Sequence, residues 1–211
     1  MPNIVKIAFH LPTQKFIHID NASNGLSCEC ICLKCNERLE AIQGKIKTKH
    51  FRHYTNLNCE GSQESALHEL GKQILVDNYQ ITIPKYGIIN YSNPVAEKRL
   101  ETKRPDVSAI FEGQQIFFEI FVSHAVDSSK KEFFIEKKYK SVEIDLSNCK
   151  TTSFKEIKRL VLEELYNKKV FYWTDDTIIE TEKPNDNNQI LQLILGIFAF
   201  IGLVRLFSKR R

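Results

Sequence analysis

Little in this sequence is extreme, and what is missing narrows the field. Eight glycines and six prolines in 211 residues exclude a collagen-like or Pro/Gly-rich low-complexity chain. No segment recurs at a fixed period, which excludes a solenoid or propeller. No charge of one sign dominates: 30 Lys and Arg stand against 26 Asp and Glu, for a net charge of +4. Arg205, Lys209, Arg210 and Arg211 supply that excess, with no acid after residue 186, so everything upstream is close to neutral. A general basic footprint for nucleic acid is therefore missing, and any such binding must come from local patches. The first residues, Met1-Pro2-Asn3-Ile4-Val5-Lys6, hold no apolar run of leader length, so export by a cleaved signal is not expected.

What is present is an ordinary core composition, 42% hydrophobic and 27% charged, with room for one sizeable domain and a small satellite. Five of the six cysteines, Cys28, Cys30, Cys32, Cys35 and Cys59, crowd between residues 28 and 59. Without a secretory leader such crowding points to metal ligands in a reducing compartment before it points to disulfides. Cys32-x2-Cys35 and His50-x2-His53 form two short pairs at a spacing close to that of a zinc ribbon, where each pair holds a tight turn and four ligands close a tetrahedron. The expectation is a structural Zn²⁺ on Cys32, Cys35, His50 and His53, with Cys59 able to replace one histidine and Cys30 one cysteine. Cys28 is a spare thiol.

Beyond the cluster, Ala66, Leu67, Leu70, Ile74 and Leu75 recur at helical spacing after a Ser62 cap. Strand-like runs follow at Ile81–Pro84 and Ile88–Tyr91. Asp106–Phe111 and Gln115–Val122 are two strong strands joined through Glu112-Gly113-Gln114, a hairpin. A helix over Asp127–Tyr139, a strand over Val142–Leu146, a helix from Ser153 with Glu156 completing its cap, and strands at Val170–Trp173 and Thr177–Ile179 complete the globular part. The expected organisation is a zinc-ribbon-like module over 1–60, a core over 61–180, a polar linker over 181–188 and an apolar helix over 189–207. Its run from Ile190 to Phe207 spans about 27 Å as a helix, against a hydrocarbon core of about 30 Å, so a membrane helix anchoring a cytoplasmic domain is expected. The basic C-terminus pulls the topology the other way by the positive-inside rule.

If the hairpin turns at Gly113 and Gln114, Asp106 lies opposite position 120 or 121, next to Glu119. Two carboxylates at one end of a hairpin are what a Mg²⁺ site for phosphodiester hydrolysis needs: hard oxygen ligands on rigid strands. Glu64, on the preceding helix with His68 one turn later, is placed to reach the same end of the sheet and orient a water.

In order along the chain, Cys32-Leu-Lys-Cys35, His50-Phe-Arg-His53, Glu64-Ser-Ala-Leu-His68 with Lys72, Arg104-Pro-Asp106-Val and Phe118-Glu119-Ile-Phe-Val-Ser123-His124 resemble the competence protein CoiA-like family. The resemblance covers residues 28 to 147. It implies a restriction-endonuclease-like α+β or α/β core of the PD-(D/E)xK type, a four-stranded mixed sheet flanked by helices. Asp106 and Glu119 would be magnesium ligands, Glu64 an auxiliary acid and DNA the partner. In the restriction-enzyme pattern a Lys follows the second acid by two positions; here Phe121 stands there. The substitute cation is expected from the next helix, Lys130 ahead of Lys131, with His124 as another candidate. Phosphate contacts are expected from Lys45, Lys47, Lys49 and Arg52 and from Lys98, Arg99, Lys103 and Arg104. The leading expectation is a magnesium-dependent nuclease. Its rivals are a non-catalytic DNA- or protein-binding module of the same fold and a membrane-tethered interaction protein.

Overall fold

The computed structural model describes residues 4–46, 48–55, 59, 63–123, 127–149 and 153–174. The linker and the apolar helix expected over 181–188 and 189–207, the strand at Thr177–Ile179, the Ser62 cap, Lys47 and His124 lie outside them. Among the described residues no helix is long and apolar enough to cross a membrane.

Residues up to Thr174 form one compact unit. Five short strands open it: β1 (Ile7–His10), β2 (Lys15–His18), β3 (Gly25–Ile31), β4 (Arg38–Ile42) and β5 (His50–His53). They make an antiparallel sheet in the order β2-β1-β3-β4-β5, with its own small core of Val5, Ala8, Ile19, Leu39, Phe51 and three of the cysteines.

The chain then enters α1 (Gln63–Val76), the β6 (Gln80–Ile83) and β7 (Gly87–Asn90) hairpin, β8 (Ser92–Ala96), β9 (Val107–Phe111), β10 (Gln114–Phe121), α2 (Ser128–Glu136), β11 (Lys140–Asp145), α3 (Phe154–Leu162) and β12 (Lys168–Tyr172). The second large sheet runs β12-β11-β10-β9-β8. It is mixed: β10 pairs antiparallel with β9 and parallel with β11, the crossover being made by α2. It has five strands rather than the expected four, because β12 adds antiparallel to β11. Pro94 lies in β8, an edge strand, where a missing N–H costs no ladder bond.

Strand alternation sorts the two faces of β10. Ile116, Phe118 and Ile120 enter the main core with Leu70 and Ile74 of α1 and Ile157 and Val161 of α3. Phe117 turns the other way and stacks on Phe134 of α2, ring centroids 5.3 Å apart. Gly71 sets how closely α1 approaches: a Cβ there would meet Ile120 Cγ2 at 3.2 Å. The α1 helix also fixes the N-terminal sheet. Its Gln73 side chain accepts from the Phe16 N–H at 2.7 Å and donates to the Phe16 carbonyl at 3.0 Å, and Gln63 Oε1 accepts from the Lys6 N–H at 2.8 Å.

Candidate functional sites

Two sites emerge, and α1 lies against both sheets that carry them. The first is the cysteine cluster. Cys32 and Cys35 sit in the turn from β3 to β4, which closes with Cys32 N–H to the Glu37 carbonyl and Asn36 N–H to the Cys32 carbonyl, both at 2.9 Å. Asn36 takes φ 58° there, a conformation asparagine tolerates better than most residues. The Lys34 N–H points at Cys32 Sγ from 3.4 Å, a contact that favours a thiolate. His53 from the end of β5 and Cys59 complete the group, and the four ligand atoms lie within 4.8 Å of one another. These residues are positioned to hold a metal ion.

Two details fit a tetrahedral thiolate site. Cys32 Sγ and Cys59 Sγ are 3.9 Å apart, against about 3.8 Å for two sulfurs at ~2.3 Å on one zinc. His53 Nε2 is buried with no hydrogen-bond partner among the described residues, a cost a metal bond would remove. Burial, together with the neighbouring thiols of Cys59 and Cys32, pushes the Cys35 thiol up to about 11.

One expected ligand is corrected. His50 is not in the group; its Nδ1 lies 2.8 Å from the Thr48 carbonyl. The reason is strand geometry. His50-x2-His53 would converge on one ion in a turn, but on β5 residues three apart face opposite sides. Cys59, one of the alternatives left open by the spacing, takes the fourth place. Cys30 does not enter either: its thiol donates to the Cys28 carbonyl at 2.9 Å, and Cys28 donates to the Leu39 carbonyl at 3.2 Å, both in the core of the sheet.

The second site is acidic. The β9–β10 hairpin turns at Glu112 and Gly113, φ 51° and 77°, the positive pair of a two-residue type I′ loop. The turn is thus one residue earlier than the expected Gly113-Gln114. The register pairs Phe111 with Gln114 and Val107 with Phe118, and its next step sets Asp106 opposite Glu119 rather than opposite 120 or 121.

Both helices then close on this pair. The α2 helix covers the face of β10 that carries Phe117 and Glu119. Phe134 and Lys130, one turn apart, follow the same ladder, so the Phe117–Phe134 stack is one rung and Lys130–Glu119 the next. Lys130 Nζ lies 2.5 Å from Glu119 Oε2 and 3.9 Å from Asp106 Oδ1. Phe121 is on that same face of β10, two residues beyond Glu119. Lys131 instead lies over the Phe171 ring, 5.6 Å from its centroid.

From the other face, α1 presents His68, whose Nε2 is 3.1 Å from Asp106 Oδ2. The Ile120 N–H donates to that oxygen at 2.8 Å. Oδ2 is thereby engaged from two sides. Glu64 is exposed at the start of α1 and lines, with Ser65, His68, Glu69 and Ser123, a cleft running along the end of β10.

The electrostatics separate the two acids. Burial works against ionisation of Asp106, but its bonds from His68 and Ile120 prevail and hold its carboxyl below the usual range. Bonds to Asp106 and Glu69 raise His68 to about 9. Glu119 is 2% exposed. Burial first, then the Asp106 charge, pushes it up to about 8 against the pull of Lys130. Its Oε1 is buried with no hydrogen-bond partner among the described residues.

His68 is the residue whose part differs most from expectation: its place one turn after Glu64 suggests a shared role in orienting a water, and it bonds Asp106. Its helical spacing to Gly71, three residues on, was the signal, since the close approach of Gly71 to Ile120 brings His68 to the end of the sheet. Of the basic residues expected to contact phosphate, Arg52 pairs with Glu40 at 2.5 Å, Arg104 with Glu97 at 2.6 Å, and Lys103 donates to Ser129 Oγ at 2.6 Å. Lys45, Lys49 and Lys98 are exposed.

Comparison with family models, with curated proteins and with solved structures finds no match to this chain.

Proposed function

We propose that this chain is a magnesium-dependent nuclease of the PD-(D/E)xK type, a CoiA-like protein acting on DNA, with structural zinc held by Cys32, Cys35, His53 and Cys59. The observation that carries the reading is the convergence of Asp106, Glu119 and Lys130 beside an open cleft, with one oxygen of the buried Glu119 unpartnered among the described residues. The succession of α1, β8, β9, β10, α2 and β11, three antiparallel strands and a parallel fourth, supports the restriction-endonuclease-like core. Zinc is favoured for the thiol cluster because three sulfurs and one imidazole suit a borderline-soft ion and leave no open position for chemistry.

In this reading Asp106 and Glu119 hold Mg²⁺, which when bound acidifies a water and neutralises charge on the phosphate. The residues of the chain do the rest. His68 and the Ile120 N–H engage Asp106 Oδ2, so Oδ1 is the oxygen that would be left to hold an ion. Lys130 turns from Glu119 to a non-bridging phosphate oxygen and stabilises the charge that builds as water attacks phosphorus. Glu64, exposed at the cleft, accepts a proton from that water. The phosphorus–oxygen bond to the departing strand breaks, and the leaving oxygen takes its proton from solvent.

A second reading has one observation in its favour. The Lys130 ammonium already occupies Glu119, 2.5 Å from Oε2, as in a module that binds DNA without cutting it. The test is a cleavage assay of the full chain on linear and single-stranded DNA with and without Mg²⁺ or Mn²⁺, beside Asp106→Ala and Glu119→Ala. Metal-dependent cutting that both substitutions abolish is the expected result. DNA retained by all three proteins with no cleavage by any of them establishes the binding module instead.

A further inference from the structure

Lys72 is a lysine of the core. It sits on α1, 2% exposed, and the cleft is lined without it. An ammonium is almost never buried that far unless paired. Its Nζ donates to Glu69 Oε1 at 2.6 Å and to Glu97 Oε1 at 2.5 Å. Burial works against the charge, but the two carboxylates prevail and raise the pKa of Lys72. A buried ion pair can often be exchanged for apolar residues without loss of stability, so what these partners touch next matters more than the pair itself.

Neither arm stops at its first partner. Lys72 follows Glu69 by three residues and His68 by four, which gathers all three on one side of the helix. Glu69 Oε1 is also 3.9 Å from His68 Nδ1, and His68 Nε2 is 3.1 Å from Asp106 Oδ2. On the other arm, the Glu97 N–H donates to the Asp106 carbonyl at 2.9 Å. The contacts therefore close a ring that leaves Lys72 by Glu69, reaches the carboxylate of Asp106, and returns from its carbonyl by Glu97. Glu97 lies just past β8 at φ 53°, a conformation that a residue with a side chain keeps only where its surroundings impose it. Arg104 contributes, donating from Nε to the Glu97 carbonyl at 3.0 Å and pairing with Oε2 at 2.6 Å, but its side chain is 67% exposed and such pairs hold weakly. Glu69 and Glu97 are themselves 34% and 38% exposed, whereas the Lys72 side chain, at 3%, is withdrawn from competing water.

We infer that Lys72 is a positioning residue of the acidic site: from the core it holds the backbone of Asp106 through Glu97 and its carboxylate through Glu69 and His68. The hold on Asp106 stands on these contacts alone; its effect on cleavage rests on the nuclease reading. A reacting group displaced by about 1 Å can cost ~10²-fold in rate. Because Lys72 does not line the cleft, that loss belongs to kcat rather than to KM.

The test uses the full chain with zinc bound, as wild type, Lys72→Met, Glu97→Ala and the double variant. Amide hydrogen exchange is followed by NMR without DNA, and cleavage is measured separately in Mg²⁺. In both single variants the Glu97 and Ile120 amides, which bond the carbonyl and Oδ2 of Asp106, are expected to exchange at least tenfold faster than in wild type, over and above any change at the amide of the buried Ile144. The kcat is expected to fall at least tenfold with KM within twofold, and the double variant to lose no more than the worse single one. Should Lys72→Met fail to fold, Glu97→Ala decides alone, since it severs the same arm from its exposed end. Exchange that rises equally at all three amides makes the ion pair a matter of stability alone and overturns the proposal, as does exchange that rises at none. Faster exchange at Glu97 and Ile120 with an unchanged kcat overturns it too, because Asp106 is then loosened without consequence. Faster local exchange beside a wild type that cuts no DNA keeps the hold on Asp106 and removes the nuclease reading instead.

Discussion

Cys59 and His50 offer the most direct trial of the metal site, because spacing alone favoured the histidine and the structure puts the cysteine in its place. A structural zinc site binds with about 10–16 kcal/mol at pH 7, as much as the whole stability of a domain, about 5–15 kcal/mol. Replacing one of four ligands by water removes roughly a quarter of that, about 3 kcal/mol, or ~100-fold in affinity. At about 2–4 °C per kcal/mol for a chain of this size, Cys59→Ser should lower the melting temperature by about 6–12 °C. His50→Ala gives up only the contact of Nδ1 with the Thr48 carbonyl, about 1 kcal/mol and a few degrees. Zinc per chain, measured by mass spectrometry after dialysis against a weak chelator, should stay near one for His50→Ala and fall well below one for Cys59→Ser. A His50→Ala protein stripped of zinc, beside a Cys59→Ser protein that keeps it, would refute the ligand set.

Three further expectations concern the acidic site. Lys130→Met should slow cleavage by about 10²-fold or more, the usual scale for one charge-stabilising donor. Adding Phe121→Lys to it should restore part of the rate in single-turnover assays, because position 121 shares the β10 face of Glu119; no recovery from a folded double variant would count against Lys130 as the substitute cation. Gly71→Ala should cost about 1–3 kcal/mol by overpacking, read from urea unfolding, and Ile120→Val in the same chain should recover a minor part of it, because valine loses Cδ1 at 3.4 Å but keeps Cγ2 at 3.2 Å; strictly additive losses would contradict the close-approach argument. Glu119 has its ordinary value near 4.5 unfolded and about 8 folded, so the folded state holds the extra proton between those limits. Without added divalent ion, that contribution to stability is complete below pH 4.5 and is lost as pH rises through 8. The urea midpoint of wild type should therefore fall relative to Glu119→Gln across this window, and parallel profiles would show that Glu119 titrates normally.

Much of the second sheet was legible, and for a physical reason. Its strands are apolar runs bounded by turn residues, and α1 and α3 carry their apolar stripes and, in α3, the cap made by Ser153 accepting from the Glu156 N–H at 3.2 Å. The Asp106–Glu119 pairing was legible to within one or two residues, the error being which residues occupy the turn: Glu112 at positive φ is not a choice that composition announces. The apolar runs at residues 3–9 and at Phe16–Ile19 read as short strands and match β1 and β2, but four strands were not foreseen. β3 lies at the centre of its sheet, but its run is broken by cysteines and Glu29 rather than built of β-branched residues; β4 and β5 alternate with charge, and β8 is polar and holds Pro94, so in each case neighbouring strands rather than its own residues decide the conformation. The His50 assignment failed for the same reason, since once residues 50–53 pair with β4 the spacing of two histidines acquires the period of a strand.

The position of α1 ties the metal cluster to the chemistry. Gln63 and Glu64 are adjacent in its first turn. Gln63 bonds the backbone of Lys6 and Glu64 faces the cleft, while Val5, next to Lys6, bridges Phe51 of the strand that ends in His53. A loosened metal cluster therefore frees β5 first, then Val5 and Lys6, and with them the N-terminal anchor of α1. His68 is one turn further along the same helix and depends on that anchor to meet Asp106. Removing zinc should accordingly depress cleavage before it unfolds the core, because β9, β10 and α2 hold Asp106, Glu119 and Lys130 without it. In a chelator titration followed by both activity and tryptophan fluorescence, the activity loss should come first. Trp173 reports on the mixed sheet, packed on Tyr86 and Phe111 far along the chain from the cysteines. Coincident loss of both signals would mean that the metal supports the whole unit rather than the placement of one helix.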